Sequence, residues 1–170
     1  MTFFGHASST GFDQNIDSPS NYNNQGRYPL LIGNSCYTGN IHLPSSHSTS
    51  EEFVLVPERG VIGFIAKADL GAPVNLDNWT EGFYRSIFQE NYGETVGQAM
   101  VNAVKSFQLD GTELYNQNTA LTFALHGDPA VKLHPHTKPD YSTQEDYIFF
   151  DPKEVTAQLD SFKVKVAVNN

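Results

Sequence analysis

The sequence predicts an α/β fold, a parallel sheet with flanking helices, followed by a short all-β stretch. Three observations carry this. Brief apolar runs bounded by turn residues recur at Thr2–Phe4, Leu30–Ile32 and Val61–Ala66, the length and texture of strands buried on both faces. Segments with helical apolar spacing follow the second and third runs, and alternation of strand and helix is the signature of a layered α/β domain. Beyond His134–Asp140 the helical spacing stops, and only strand-like runs remain.

The chain has 170 residues, room for one domain or one domain plus part of a second. A hydrophobic content of 39% with 12% aromatics supplies a core and excludes a disordered chain. Net charge is −9, and the 10 Lys and Arg are scattered rather than clustered, which argues against a nucleic-acid partner. One cysteine excludes an intramolecular disulfide and leaves both redox compartments open. No charged segment followed by an apolar core marks a signal peptide. No apolar run approaches the ~18 residues of a membrane span. Met1 is followed at once by a strand that ends on a candidate functional residue, an arrangement that predicts further strands upstream.

Taken in order, Thr2–Phe4 is a strand that ends in Gly5-His6. Residues 7–27, rich in Ser, Asn, Asp and Gly, read as loop, with Asp17-Ser18-Pro19 capping one short helical turn. The next strand runs into Asn34-Ser35-Cys36-Tyr37. Ser48-Thr49-Ser50-Glu51-Glu52 opens a helix, hydroxyl caps followed by acids in the first turn. That helix carries Phe53, Val54 and Val56 and ends by Pro57–Gly60. After the third strand, Leu76-Asp77-Asn78 begins a helix with Trp79, Phe83 and Ile87 as its apolar stripe. A further helix has Val96, Met100, Val104 and Phe107 on one face. Leu121–Leu125 leads into His126-Gly127-Asp128-Pro129-Ala130 and a short strand, Val131–Leu133. In the tail, Tyr147–Phe150 and Phe162–Val168 are strands. The second alternates, with Phe162, Val164, Val166 and Val168 on one face.

The chemistry follows from two strand ends. In open α/β sheets, ligands bind and reactions occur at the carboxyl ends of the strands. His6 and Cys36, thirty residues apart, each leave such an end, so parallel pairing of their strands would bring both to one sheet edge. A cysteine attacks as its thiolate, which a neighbouring imidazole favours. Small residues around both positions suit a turn whose backbone N–H groups hold a developing oxyanion. A single cysteine after an apolar run also reads as a buried small hydrophobe. Gly71, after the third strand, falls where a specificity loop would sit. Gly5, Ser35, Tyr37 and Asp69 complete the candidate substrate cleft. His134 and His136 lie in a Pro-broken linker, and with no Cys or acid at ligand spacing they read as linker residues rather than metal ligands. His42 and His47 read as loop histidines, Asp128 as a turn or cap residue, and Trp79 and Phe83 as core.

Four blocks in this order carry a resemblance: Phe3-Phe4-Gly5-His6, Asn34-Ser35-Cys36-Tyr37-Thr38-Gly39, Glu52-Phe53 with Gly60-Val61-Ile62-Gly63-Phe64-Ile65, and His126-Gly127-Asp128-Pro129-Ala130. Together they resemble the gingipain family of cysteine peptidases, peptidase family C25, whose domains share the caspase-like fold. The resemblance implies a partial caspase-like peptidase domain over 1–138, with 139–170 opening an immunoglobulin-like β domain. It implies Cys36 as nucleophile, His6 as its partner, and the backbone N–H groups of Ala7 and Cys36 as the oxyanion hole. A protein or peptide would be the substrate, and the location secreted or at a bacterial cell surface, one branch of the family serving as a sortase in type IX secretion. No cofactor is implied, although the resemblance allows a structural calcium. The family usually has Gly after the histidine, so Ala7 requires a backbone there that avoids positive φ. The alternative from a different functional class is a catalytically inert caspase-like module kept for binding or assembly.

Overall fold

The computed structural model describes the chain except residues 15, 17, 44–46, 107–113, 135, 138–140, 142, 157, 159 and 169–170. The chain divides into two compact units, Met1–Pro135 and His136–Asn170.

The first unit is built on a four-stranded sheet. Its strands are β1 (Thr2–Phe4), β4 (Leu30–Asn34), β5 (Gly63–Lys67) and β6 (Phe123–Gly127), side by side in that order. β1, β4 and β5 are mutually parallel. Alternation along the two central strands feeds two separate cores. Leu30, Ile32 and Ile65 face one side, with Leu76, Trp79, Phe83, Ile87, Val96, Ala99 and Ala103. Leu31, Phe64 and Ala66 face the other, with Phe53 and Val61. Both faces are thus covered, which is why these strands read as continuous apolar runs.

Residues 7–27, expected as loop, contain a short antiparallel hairpin of β2 (Ala7–Ser8) and β3 (Gly11–Phe12). Phe12 stands on the Phe53–Phe64 side, stacked on Phe64 with ring centroids 6.3 Å apart. Ser18 caps the single 3-10 turn Pro19–Asn21, accepting from the Ser20 N–H. On the same side of the sheet lies α1 (Thr49–Leu55), opened by a reciprocal capping box between Ser48 and Glu51.

The opposite layer holds α2 (Pro73–Arg85), lengthened by a π-helical turn over Ser86–Glu90, and α3 (Val96–Ser106). α2 starts three residues before the expected Leu76, because Pro is well tolerated in a helix's first turn. Trp79 stacks between Phe83 (5.5 Å) and Phe123 (4.2 Å), so both rings belong to the core. Phe107, expected on α3's apolar face, lies outside the described residues.

Three expectations change on this side. A helix absent from the sequence reading, α4 (Leu114–Thr122), precedes β6 and takes up the first half of the Leu121–Leu125 run. β6 runs antiparallel to β5. The reason is local: the Thr122 carbonyl accepts from the Ala68 N–H at 2.8 Å. α4 therefore ends beside the carboxyl end of β5, and a strand starting there must run back along it. Finally, Val131–Leu133 contributes only an isolated bridge, Thr95 with Lys132. Its carbonyls are used elsewhere, since Val131 O and Pro129 O accept from the Val96 and Gly97 N–H groups at 2.8 and 2.9 Å. They satisfy donors that the start of α3 leaves open.

The second unit is a two-stranded antiparallel ribbon of β7 (Ile148–Asp151) and β8 (Lys163–Val166). Ile148 pairs with Val166 and Phe150 with Val164, so these four share one apolar face with Phe162. Lys165 donates to Asp151 at 2.8 Å on the other face.

Candidate active site

In the register of β1 on β4, Phe4 is opposite Asn34. The ladder extends one step further, the Gly5 N–H donating to the Asn34 carbonyl at 3.2 Å. His6 and Cys36 each stand two residues past that matched pair, and because the strands are parallel they leave the sheet at one end. The tight turns after each strand are built differently. After β1, the chain folds into the β2–β3 hairpin, with the His6 carbonyl accepting from the Asp13 N–H at 3.0 Å. This makes Ala7 and Phe12 a non-hydrogen-bonded pair and turns the Ala7 N–H away from β3. Ala7 is not at positive φ, the only described non-glycine residues there being Tyr37 and Glu58. The His6 side chain is exposed.

After β4 the turn is fastened to the end of β5. Asn34 is fully buried and accepts from the Thr80 hydroxyl at 2.9 Å, which ties the strand end to α2. The Ser35 N–H donates to Gly33 O, the Tyr37 N–H to Asp69 O at 3.1 Å, and the Gly39 N–H to Lys67 O at 2.9 Å. Tyr37 has φ 58, a left-handed conformation that costs an L-residue about 1–2 kcal/mol. Among the described residues, the Cys36 N–H between these bonds has no hydrogen-bond partner. The half-buried Cys36 sulfur rests on Gly71, 3.4 Å from its N and 3.9 Å from its carbonyl O. No hydrogen bond joins Cys36 and His6 among the described residues.

Of the cleft candidates, Gly5, Ser35, Tyr37, Asp69 and Gly71 all fall on these turns or on the segment after β5. What the sequence reading missed lies just beneath them. Lys67, the last residue of β5, is fully buried. Its ammonium donates to Asn118 Oδ1 at 2.7 Å and to the Thr122 hydroxyl, both on α4. The other end of the Asn118 amide donates to Asp69 Oδ2 at 2.9 Å. Burial pushes the Lys67 pKa down to about 8, against the opposing pull of the Asp69 and Cys36 charges. Asp69 is held below the usual carboxylate range, first by a backbone hydrogen bond from Leu70, then by Asn118.

A second polar cluster supports the Cys36 turn from the α1 side. The Ser50 N–H donates to the Thr38 carbonyl at 2.9 Å. The Ser50 hydroxyl is 2.7 Å from His126 Nδ1 and 3.1 Å from the Ser48 hydroxyl. Ser48 and Ser50 are fully buried, so this pair fastens β6 to α1 and offers no nucleophile to solvent. Burial lowers the His126 pKa. Asp128 makes a turn, accepting from the Ala130 N–H at 2.8 Å. His134 stacks on Tyr92 with centroids 4.3 Å apart. Among the described residues no group of three or more His, Cys, Asp or Glu could hold a metal ion. None of the described helices is long and apolar enough to cross a membrane.

Solved structures share this architecture. The Arg-specific cysteine proteinase gingipain R (RgpB) superposes with a TM-score of 0.68 at 14% identity, over 84% of this chain and 35% of that one. The complex of the Porphyromonas gingivalis RgpB pro- and mature domains gives 0.71 at 12% identity, over 84% and 36%. A further solved protease gives 0.66 at 17%, over 88% and 40%. The chain thus spans between a third and two fifths of the proteins it matches in fold. No curated protein sequence matches it. Residues 1–134 match the sequence profile of peptidase family C25, and on that match the chain belongs to peptidase family C25.

Proposed function

We propose that this chain carries the nucleophile end of a cysteine peptidase that cleaves peptide bonds through a Cys36–His6 dyad. The observation that carries the proposal is the parallel register, which sends Cys36 and His6 out of the same end of the sheet, each two residues past a matched pair. His6 takes the thiol proton, and the Cys36 thiolate attacks the substrate carbonyl. The N–H groups of Ala7 and Cys36 hold the oxyanion. Collapse expels the amine, with the proton returned from His6, and leaves a thioester that water hydrolyses. The substrate is a protein or peptide threaded past Gly5, Ser35, Tyr37, Asp69 and Gly71. The absence of a Cys–His hydrogen bond in an unliganded site is compatible with this, because such bonds tighten in the substrate complex.

By family, the parent protein is secreted or held at a bacterial cell surface, and the sortase branch of type IX secretion is the more specific form of the same reading. The experiment is labelling with a peptidyl electrophile that mimics a scissile carbonyl. Labelling of Cys36 that falls at least about tenfold in His6→Ala supports the dyad. Equal labelling with and without His6 overturns it and favours the inert binding or assembly module, whose supporting observation is the exposed His6 ring, without a hydrogen bond to Cys36 among the described residues.

A further inference from the structure

The chemistry as proposed uses nothing from β5, yet β5 ends in a cation with no access to solvent. Lys67 sits at the carboxyl end of the strand next to Cys36's own, and its backbone carbonyl accepts from the Gly39 N–H in the Cys36 turn. Its ammonium is clamped from α4 by Asn118 and Thr122. It lies 6.0 Å from the Phe123 ring centroid, so an apolar ring lines one side of the buried side chain. Among the described residues, the charges that act on it are those of Asp69, just past the same strand, and Cys36 on the neighbouring turn. From α4 and β6, the described contacts are with the neutral Asn118, Thr122 and Phe123.

We infer that Lys67 is a positioning residue, a fixed buried counter-charge that stabilises the Cys36 thiolate from the end of the neighbouring strand. The inference rests on the reading of Cys36 as nucleophile. A buried opposite charge favours the ionised form of its neighbour, and burial keeps salt from screening it. Asn118 gives the arrangement its direction. Its amide oxygen is occupied by Lys67 and its NH2 by Asp69, so the carboxylate is held by a neutral donor and the ammonium keeps charge to offer the sulfur. His6 is exposed at the same sheet end, past β1 on the far side of β4. The two devices are independent: the imidazole moves a proton, and the lysine sets how readily the sulfur gives it up.

The chain has one cysteine, so alkylation by iodoacetamide across pH 6 to 10 reads a single thiolate. Lys67→Met is expected to alkylate at least about threefold more slowly than the wild type at pH 7, because only the thiolate reacts. Lys67→Arg, which keeps the charge, restores the rate. The wild-type profile is also broader than a one-proton curve, because Lys67 gives up its own proton near pH 8 and the thiolate then loses its counter-charge. In Lys67→Arg that breadth disappears. If Lys67→Met fails to fold by circular dichroism, Thr122→Val carries the test, since it removes one anchor of the ammonium at constant shape and slows alkylation in the same direction. A folded Lys67→Met, or in its place Thr122→Val, that reacts at the wild-type rate at every pH overturns the inference. So does a Lys67→Arg that is as slow as Lys67→Met, which makes the effect one of packing. Failure of the dyad reading is seen separately, in the peptidyl electrophile and His6→Ala, and leaves the iodoacetamide result standing.

Discussion

A lysine buried as an ammonium lowers stability, and the pH dependence of that cost is measurable. Its pKa falls from 10.5 to about 8 on folding, chiefly by desolvation. At ~1.4 kcal/mol per pKa unit, the folded state is destabilised by roughly 3 kcal/mol wherever Lys67 is charged in both states. The sign follows from proton binding. Between pH 8 and 10.5 the unfolded chain keeps the proton and the folded chain releases it, so this contribution makes stability rise with pH. Below pH 8 both states hold the proton and the full cost applies. The perturbation is Lys67→Met in a Cys36→Ser background, which removes the thiol's own titration from both proteins. Urea unfolding at intervals from pH 7 to 10.5 gives the stability of each. Loss of the Asn118 Oδ1 partner adds an offset of about 1–3 kcal/mol that does not vary with pH, while the Thr122 hydroxyl keeps its bond to the Asn118 carbonyl. The expected signature is therefore the change in the difference. The advantage of Met over Lys should shrink by roughly 3 kcal/mol from pH 7 to 10.5. A difference that stays constant across that range would refute the claim that Lys67 is a buried ammonium.

Gly39→Ala should loosen the Cys36 turn, since the new Cβ falls 2.9 Å from both Ala66 Cβ and Ala66 O. Overpacking against backbone costs about 1–3 kcal/mol, and urea unfolding with faster Cys36 alkylation in native buffer is the check; unchanged values of both would sink it. Trp79→Ala empties the fully buried stack with Phe83 and Phe123 and should cost ~3–5 kcal/mol in the same assay. His126 has its folded pKa lowered by burial, so the unfolded chain takes up the proton first and stability is lost as pH falls below about 6.5. His126→Gln should flatten the fall in Tm between pH 7.5 and 5, and an unchanged slope would assign that acid limb to other groups.

The fold was legible where burial leaves a mark on composition. β4 and β5 are covered on both faces, so Leu30–Ile32 and Gly63–Ala66 are uninterrupted small or apolar residues, and the stripe Trp79, Phe83, Ile87 marks α2 equally well. The β2–β3 hairpin left no such mark, because strands of two residues, Ala7-Ser8 and Gly11-Phe12, are too short to show a period. α4 is Leu-Tyr-Asn-Gln-Asn-Thr-Ala-Leu-Thr, and only Thr119 among its residues is buried. A helix without an apolar stripe gives periodicity nothing to detect. The direction of β6 is a tertiary fact, fixed by where α4 ends.

The candidate site divides along the same line. That His6 and Cys36 leave one sheet end was legible because each follows a strand by two residues and the strands pair in parallel. Lys67 was not, since a lysine closing an apolar strand ordinarily marks the point where the strand meets water. Here the water is replaced by Asn118 and Thr122, 51 and 55 residues further on, in the helix that periodicity also missed. A neutral residue at the end of β5 would avoid a cost of roughly 3 kcal/mol. Keeping the cation there, beside the one cysteine, is the kind of local inconsistency between stability and sequence that belongs to a working site. The pH profile of Cys36 alkylation and the pH profile of unfolding must then report the same lysine, one as thiolate lost and the other as stability gained when it is removed.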